Sequence, residues 1–439
     1  MNLGPKKPRR RSPLLVILIV LLAIAAIAVL VYNIPFFNER LAWRVEAFRA
    51  EIKYALDPPE EIVFQPNSSP TAQTWTATPS STPDLETSTP PPQPGLEEPT
   101  PTPSPVPTET PVPTPLPASA LLGGFNHQYQ SWNNCGPANL AMALSYWGWD
   151  GNQADTAAYT KPNPRDKNVM PYEMADYVAD QTELSAVVRV GGDLETLKAF
   201  IAAGFPVIVE KSFEGPRFDG WMGHYEVVNG YNDDTRLFTV QDSYDGPNIT
   251  IPYDYMTSHW LAFNNTYIVF YPPDSEAEVL SILGPHADPV YNFQAAADRA
   301  ADGNATFNGR DQYFSLFNWG TNLVRLHDYT TAATAYDAAF ANYPSIPESE
   351  RPWRMLWYQT GPYFAYYYSG RYQDVIDLAT TTLEAMSEPV LEESYYWRAM
   401  ARLAVGETEL AVDDLRTSLK HHPDFVPSLE LLRQLGEQP

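Results

Sequence analysis

The feature that most constrains this chain is a stretch that cannot build a core. From Pro58 to Pro117 the sequence is rich in proline, threonine and serine, as in TPTPSPVPTETPVPTPLP, and holds 19 of the 43 prolines. Proline fixes φ and removes an amide donor, so helix and sheet interiors are closed to it. With few apolar side chains to bury, such a segment favours extended polyproline II. At about 3.1 Å per residue it reaches on the order of 150–190 Å. The linker, taken as 58–118, therefore divides the chain and predicts a spacer that holds the C-terminal part away from the N-terminal part.

The N-terminal part reads as a membrane anchor. Residues 1–13 carry Lys6, Lys7, Arg9, Arg10 and Arg11, and residues 14–32 run without a charge. Nineteen residues at about 1.5 Å each match a bilayer core. The exit Asn33-Ile34-Pro35-Phe36-Phe37 lacks the small-residue pattern of a signal-peptide cleavage site. An uncleaved transmembrane helix is expected, with the basic tail in the cytoplasm and the rest of the chain outside the cell. In residues 33–57, Leu41, Val45, Phe48 and Ile52 recur at helical spacing. That predicts a juxtamembrane helix, either a plain extension of the anchor or an amphipathic surface helix.

The C-terminal part splits in two. Residues 119–274 read as an α+β domain. Helices are expected over 138–149, 171–180 and 194–203, and strands over 185–190, 206–210, 225–231, 236–241 and 262–271, with Asn232-Asp233-Asp234-Thr235 as a hairpin turn. Residues 290–437 read as helices. Three similar segments have turns at His327-Asp328-Tyr329, Gly370-Arg371-Tyr372 and Gly406-Glu407-Thr408. That spacing is close to a helical-hairpin repeat of the tetratricopeptide type. Such a unit either binds a peptide or protein partner or packs on its neighbour.

A net charge of −25 excludes nucleic acid as a partner, which demands a basic surface. There is no HExxH, no paired cysteine motif and no Walker loop, so neither metal nor cofactor is expected.

Cys135 is the single cysteine, so no intrachain disulfide forms. A free cysteine is often just a small buried hydrophobe. Here it stands in Gln130-Ser131-Trp132-Asn133-Asn134-Cys135-Gly136-Pro137-Ala138, at the mouth of an apolar helix. Pro137 suits a first turn, and a helix N-terminus favours thiolate over thiol. A thiolate nucleophile needs a base, and the base needs an orienting group. Pairing Tyr231 with Arg236 across the turn sets His224 opposite Ser243, and a one-residue slip sets it opposite Asp242. His259 has no comparable partner and is the weaker candidate. For an oxyanion donor both Gln130 and Gln128 are available.

These motifs, Q-x-W-N-N-C-G-P-A-x-L-x-M-A-L-x-Y-W-G, then G-H-Y-x-V-V-N-G-Y and D-S-Y, resemble the bacteriocin-processing (double-glycine) peptidase-like family, family thirty-nine of the cysteine peptidases. The resemblance covers about residues 119–274. It implies a papain-like fold, a peptide or protein substrate, Cys135 as nucleophile, His224 as base, Asp242 as orienting acid and Gln130 as oxyanion donor. Family members often carry that glutamine six residues before the cysteine, where this chain has Tyr129, so Gln128 stays open as an alternative. Members fused to exporters cut leader peptides inside the cell, and this chain has no exporter. The expected function is a membrane-anchored extracellular cysteine peptidase. The alternative is a non-catalytic surface receptor or scaffold that binds through its helical repeats and an inactive papain-like domain.

Overall fold

The structure, a computed structural model, describes residues 13–32, 48, 52, 61–66, 115–214, 220–386 and 388–439. The basic tail and the bulk of the Pro-rich run fall outside these, as does the juxtamembrane helix apart from Phe48 and Ile52, which are helical and exposed. Helix α1 spans Pro13–Tyr32, twenty residues with no charge. Val20, Leu21, Leu22, Ile24, Ile27, Val29 and Leu30 on it are exposed. Among the described residues no helix is long and apolar enough to cross a membrane.

The next folded part is an antiparallel sheet. Its strands are β1 (Ser119–Leu121), β2 (Ser185–Arg189), β3 (Val207–Glu214), β4 (Trp221–Asn232), β5 (Leu237–Asp242), β6 (Gly246–Pro252) and β7 (Tyr267–Tyr271). They are ordered β2-β7-β3-β4-β5-β6, with β1 added on β4. Both faces are covered, which explains why the strands read as continuous apolar runs rather than strict alternation. One face packs Ile208, Tyr225, Val227, Ile268 and Phe270 against α2 (Cys135–Tyr146) and α4 (Pro171–Gln181). The other packs Val207, Val209, Val228, Val240 and Val269 against α5 (Leu194–Ala202), α6 (Tyr253–Trp260) and α7 (Glu276–Leu283). Residues of opposite parity therefore serve two separate cores. Helix α3 (Gln153–Thr160), entered through an Asn152 capping box, links α2 to α4. Sequence reading missed α3, α6, α7, β1 and β6. The strand expected over 262–271 begins only at Tyr267, because Leu261–Phe263 form a 3-10 turn.

The remainder is helical. After α8 (Pro289–Thr306) come three helix pairs: α9 (Gly309–Arg325) with α10 (Tyr329–Asn342), α11 (Gly361–Tyr368) with α12 (Tyr372–Glu384), and α13 (Glu392–Ala404) with α14 (Thr408–His421), closed by α15 (Val426–Leu435). Each pair turns at a residue in the left-handed region: His327 at φ 62°, Gly370 at 74° and Gly406 at 88°. Glycine adopts that conformation at no steric cost, whereas His327 pays a small one.

The two folded parts share a core. Trp221 stacks on Phe263 at 5.6 Å and meets Phe314 and Tyr358 of the helical part. Asn264 and Asn322 exchange amide hydrogen bonds at 2.7 and 3.1 Å, and Arg354 donates to the Trp221 carbonyl.

Residues 61–66 depart from the expected linker. Phe64 is 3% exposed and packs edge-on to Phe340 at 5.4 Å, with Tyr366 at 6.0 Å. The folded body thus takes in a short segment within the Pro-rich run, near its N-terminal end. It resumes just after that run, where Tyr231 bonds the Pro117 carbonyl and the Asp233 amide bonds that of Ala118. An apolar Val63-Phe64 pair inside a polar stretch was the available signal.

Candidate active site

Cys135 is the first residue of α2, three residues earlier than the apolar run suggests. The chain reaches it through a turn closed by the Asn134 amide on the Ser131 carbonyl. Asn133 in that turn has φ 51°, a conformation asparagine tolerates. Pro137 falls in the first helical turn, where an amide has no acceptor within the helix. Gly136 is required by close approach: a Cβ there would lie 3.0 Å from the Val169 Cβ. Cys135 as a residue is half-buried.

His224 lies within β4, not at its start, and pairs with Lys211 on β3. The β4–β5 register differs from either expected alternative. Asn232 pairs with Leu237, and a bulge between Val228 and Gly230 then sets Val227 opposite Gln241. The turn keeps four residues but is shifted by one, to 233–236, with Arg236 inside it at φ 55°. His224 therefore has no partner on β5, and its ring reaches Asp242 diagonally, Nε2 to Oδ1 at 3.1 Å. Both residues are buried. The Asp242 carboxylate also accepts the amides of Tyr244 and Asp245. Phe213 stacks on the imidazole at 4.6 Å and restrains it.

The electrostatics follow from these contacts. Burial alone pushes the Cys135 thiol up, but the hydrogen bond and charge of His224, with the amides of Tyr225 and Gly136, carry it below its ordinary value. Burial pulls His224 down, and the Asp242 charge and hydrogen bond, then Cys135, outweigh it and lift the ring to about 10. Burial raises Asp242, while the charge and hydrogen bond of His224 and the two amides hold it well below the usual carboxylate range. The arrangement stabilises a thiolate–imidazolium pair backed by a carboxylate.

Residues 124–268 match the Peptidase_C39 like family. Two solved structures are similar in fold. One, from Bacillus anthracis, is described as a C39-like peptidase; it is 16% identical, with 35% of this chain and 96% of that one covered and a TM-score of 0.29. The other is xylellain, a cysteine protease from Xylella fastidiosa, also 16% identical, covering 36% and 87% with a TM-score of 0.26. No curated protein matches the chain.

Within this C39-like region the two glutamines separate. Gln128 Oε1 accepts the Gln153 amide at 2.8 Å and so ties the entry segment to α3. Gln130 Oε1 accepts from Ser243 Oγ at 2.8 Å, and its backbone amide bonds the Ser243 carbonyl. That leaves the Gln130 Nε2 free to donate. Sequence reasoning missed what holds this group. Asn139, fully buried, lies with its Nδ2 2.7 Å from the Tyr225 carbonyl, 3.0 Å from Ser243 Oγ and 2.9 Å from the Cys135 carbonyl. It links α2, β4 and the segment after β5. The signal was an asparagine four residues after the cysteine in an otherwise apolar helix.

Behind His224 lies a buried ion pair, Lys211 Nζ to Glu226 Oε1 at 2.9 Å. Burial raises Glu226 to about 7, with Lys211 opposing and Asp242 assisting the rise. His224, Glu226 and Asp242 bring their donor atoms within 4.8 Å of one another. The set does not fit a metal, because the Lys211 ammonium already neutralises Glu226 and Asp242 is engaged by the imidazole. His259 stacks on Tyr255 at 3.8 Å and bonds Tyr255 and Ser258, outside the Cys135 contacts.

Proposed function

We propose that this protein is a membrane-anchored cysteine peptidase. The observation that carries the reading is one imidazole bonded both to the thiol of half-buried Cys135 and to a buried carboxylate. In this reading the Cys135 thiolate attacks the carbonyl carbon of a peptide bond. The oxyanion forms against the Gln130 Nε2 and the Cys135 backbone amide. The His224 imidazolium gives its proton to the leaving amine, and an acyl-cysteine forms. The neutral ring then takes a proton from water, which attacks the thioester and restores the thiol. Asp242 holds the ring in orientation and stabilises its charge.

Helix α1 is proposed to span the membrane, with the basic tail inside and the folded body outside the cell. Phe64 packs on the helix pairs, and the segment around it is proposed to join the body to the membrane helix. The three helix pairs are proposed to be tetratricopeptide-like and to hold a peptide or protein.

Alkylation of the purified chain with iodoacetamide across pH tests the chemistry. Labelling of Cys135 is expected to persist well below pH 8 and to lose that persistence in His224→Ala. A thiol that reacts only above about pH 8, as free cysteine does, overturns the peptidase reading.

A second reading, a binding protein without catalysis, is favoured by one observation. A cavity of about 770 Å³ is lined by neither Cys135, His224 nor Asp242. A Cys135→Ala chain that supports every cellular role of the wild type favours it.

A further inference from the structure

That cavity lies between the sheet and the helix pairs, and its chemistry is specific. Carboxylates come from Glu210 on β3 and Glu393 on α13, and rings come from Tyr172, Phe364, Tyr396 and Trp397. Glu210 is 5% exposed. Neither acid is ion-paired among the described residues. Glu210 bonds Tyr225, and Glu393 accepts only its own amide. Two arginines also border the space. The guanidinium of Arg189 is turned onto the carbonyls of Val188, His286 and Ala287, and Arg325 is exposed beside Phe293. Neither reaches the acids.

Two wall residues, Glu210 and Met170, neighbour groups that touch Cys135 or the glycine after it. Glu210 is the cross-strand partner of Tyr225, whose amide bonds Cys135. Met170 in the wall follows Val169, which presses on Gly136 beside Cys135.

We propose that this cavity is a specificity pocket of the Cys135 site that takes a basic side chain of a bound peptide. The inference rests on the peptidase reading for its ligand class. An unpaired carboxyl out of water is costly to ionise, and a cation brought beside it removes that cost. Burial accordingly holds both Glu210 and Glu393 well above the ordinary carboxyl value. Four rings add cation–π attraction, and their faces accommodate the aliphatic stem of lysine or arginine.

The test is equilibrium binding to the full-length Cys135→Ala chain in detergent, which removes chemistry from the measurement. Fluorescein-labelled Ala/Ser hexapeptides carry one lysine, one norleucine or one glutamate at each position in turn. At neutral pH the lysine peptide is expected to bind at least about ten-fold tighter than norleucine at one position, with glutamate weakest. Glu393→Gln and Glu210→Gln, added separately, are expected to reduce that preference to about two-fold or less. Glu393 is only half-buried, so its variant reads the pocket even where Glu210→Gln fails to fold. Equal binding of lysine and norleucine overturns the pocket, as does a lysine preference that survives Glu393→Gln. Iodoacetamide labelling of the wild type separates the two ideas. An ordinary thiol with an intact lysine preference sinks the peptidase and spares the pocket; an activated thiol with no preference sinks the pocket alone.

Discussion

His224 Nε2 sits 3.1 Å from Asp242 Oδ1 although the two residues are not opposite each other in the sheet. The contact is diagonal, made possible by the bulge at Val228/Gly230 and by a turn that ends β5 on Asp242. Asp242→Asn keeps the shape and removes the charge. It is expected to lower turnover of a cleavable peptide by about 10²–10⁴-fold, and to move the pH at which iodoacetamide alkylates Cys135 upward. An unchanged alkylation profile would show that the carboxylate does not support the ion pair.

The same pair makes stability depend on pH. Asp242 is depressed, so its contribution is present above the unfolded value of about 4 and is lost as pH falls below it. His224 is raised to about 10, so its contribution is complete below the unfolded value of about 6.5 and is lost as pH rises toward 10. The pair therefore stabilises most between about pH 4 and 6.5. Melting temperature followed against pH should show this component in the wild type and lose it in His224→Gln.

Gln130 and Gln128 make different predictions. Gln130→Ala is expected to cut kcat by about 10²–10³-fold and, by leaving the buried Ser243 hydroxyl without its acceptor, to cost about 1–3 kcal/mol as well, so the loss of kcat is the deciding readout. Gln128→Ala removes the acceptor for the Gln153 amide and is expected to cost about 1–3 kcal/mol of stability. Steady-state kinetics and urea unfolding on both variants separate the roles, and exchanged outcomes would reassign the oxyanion donor.

Lys211 and Glu226 are 1% and 2% exposed and pair at 2.9 Å. Lys211→Met strands a buried carboxyl that already has one unpartnered oxygen, and is expected to destabilise by about 3–5 kcal/mol. Lys211→Met with Glu226→Leu should recover much of that in denaturant unfolding. A double variant no better than the single one would mean that packing, not charge, sets the cost.

Phe64→Ala empties a site between Phe340 and Tyr366 and is expected to cost about 3–5 kcal/mol. It should also speed proteolysis around residues 61–66. An unchanged unfolding midpoint would detach residues 61–66 from the folded body.

The division of labour between sequence and fold can be read from particular residues. The Cys135 motif, the apolar strands, the repeat turns at His327, Gly370 and Gly406 and the charge-free run of α1 were all legible, because each depends on local composition, period or turn chemistry. The β4–β5 register was not, because a bulge and a shifted turn trade hydrogen bonds against side-chain packing across two cores. Gln130 against Gln128 was not legible either. Both are glutamines on one entry segment, and only Ser243, more than a hundred residues away, distinguishes them. Asn139, the Lys211–Glu226 pair, the docking of Phe64 and the acid-and-aromatic cavity likewise come from long-range contacts. The sequence by itself determined which residues are chemically equipped to act. Tertiary structure decided which of them meet, because meeting is set by packing between segments that no local pattern records.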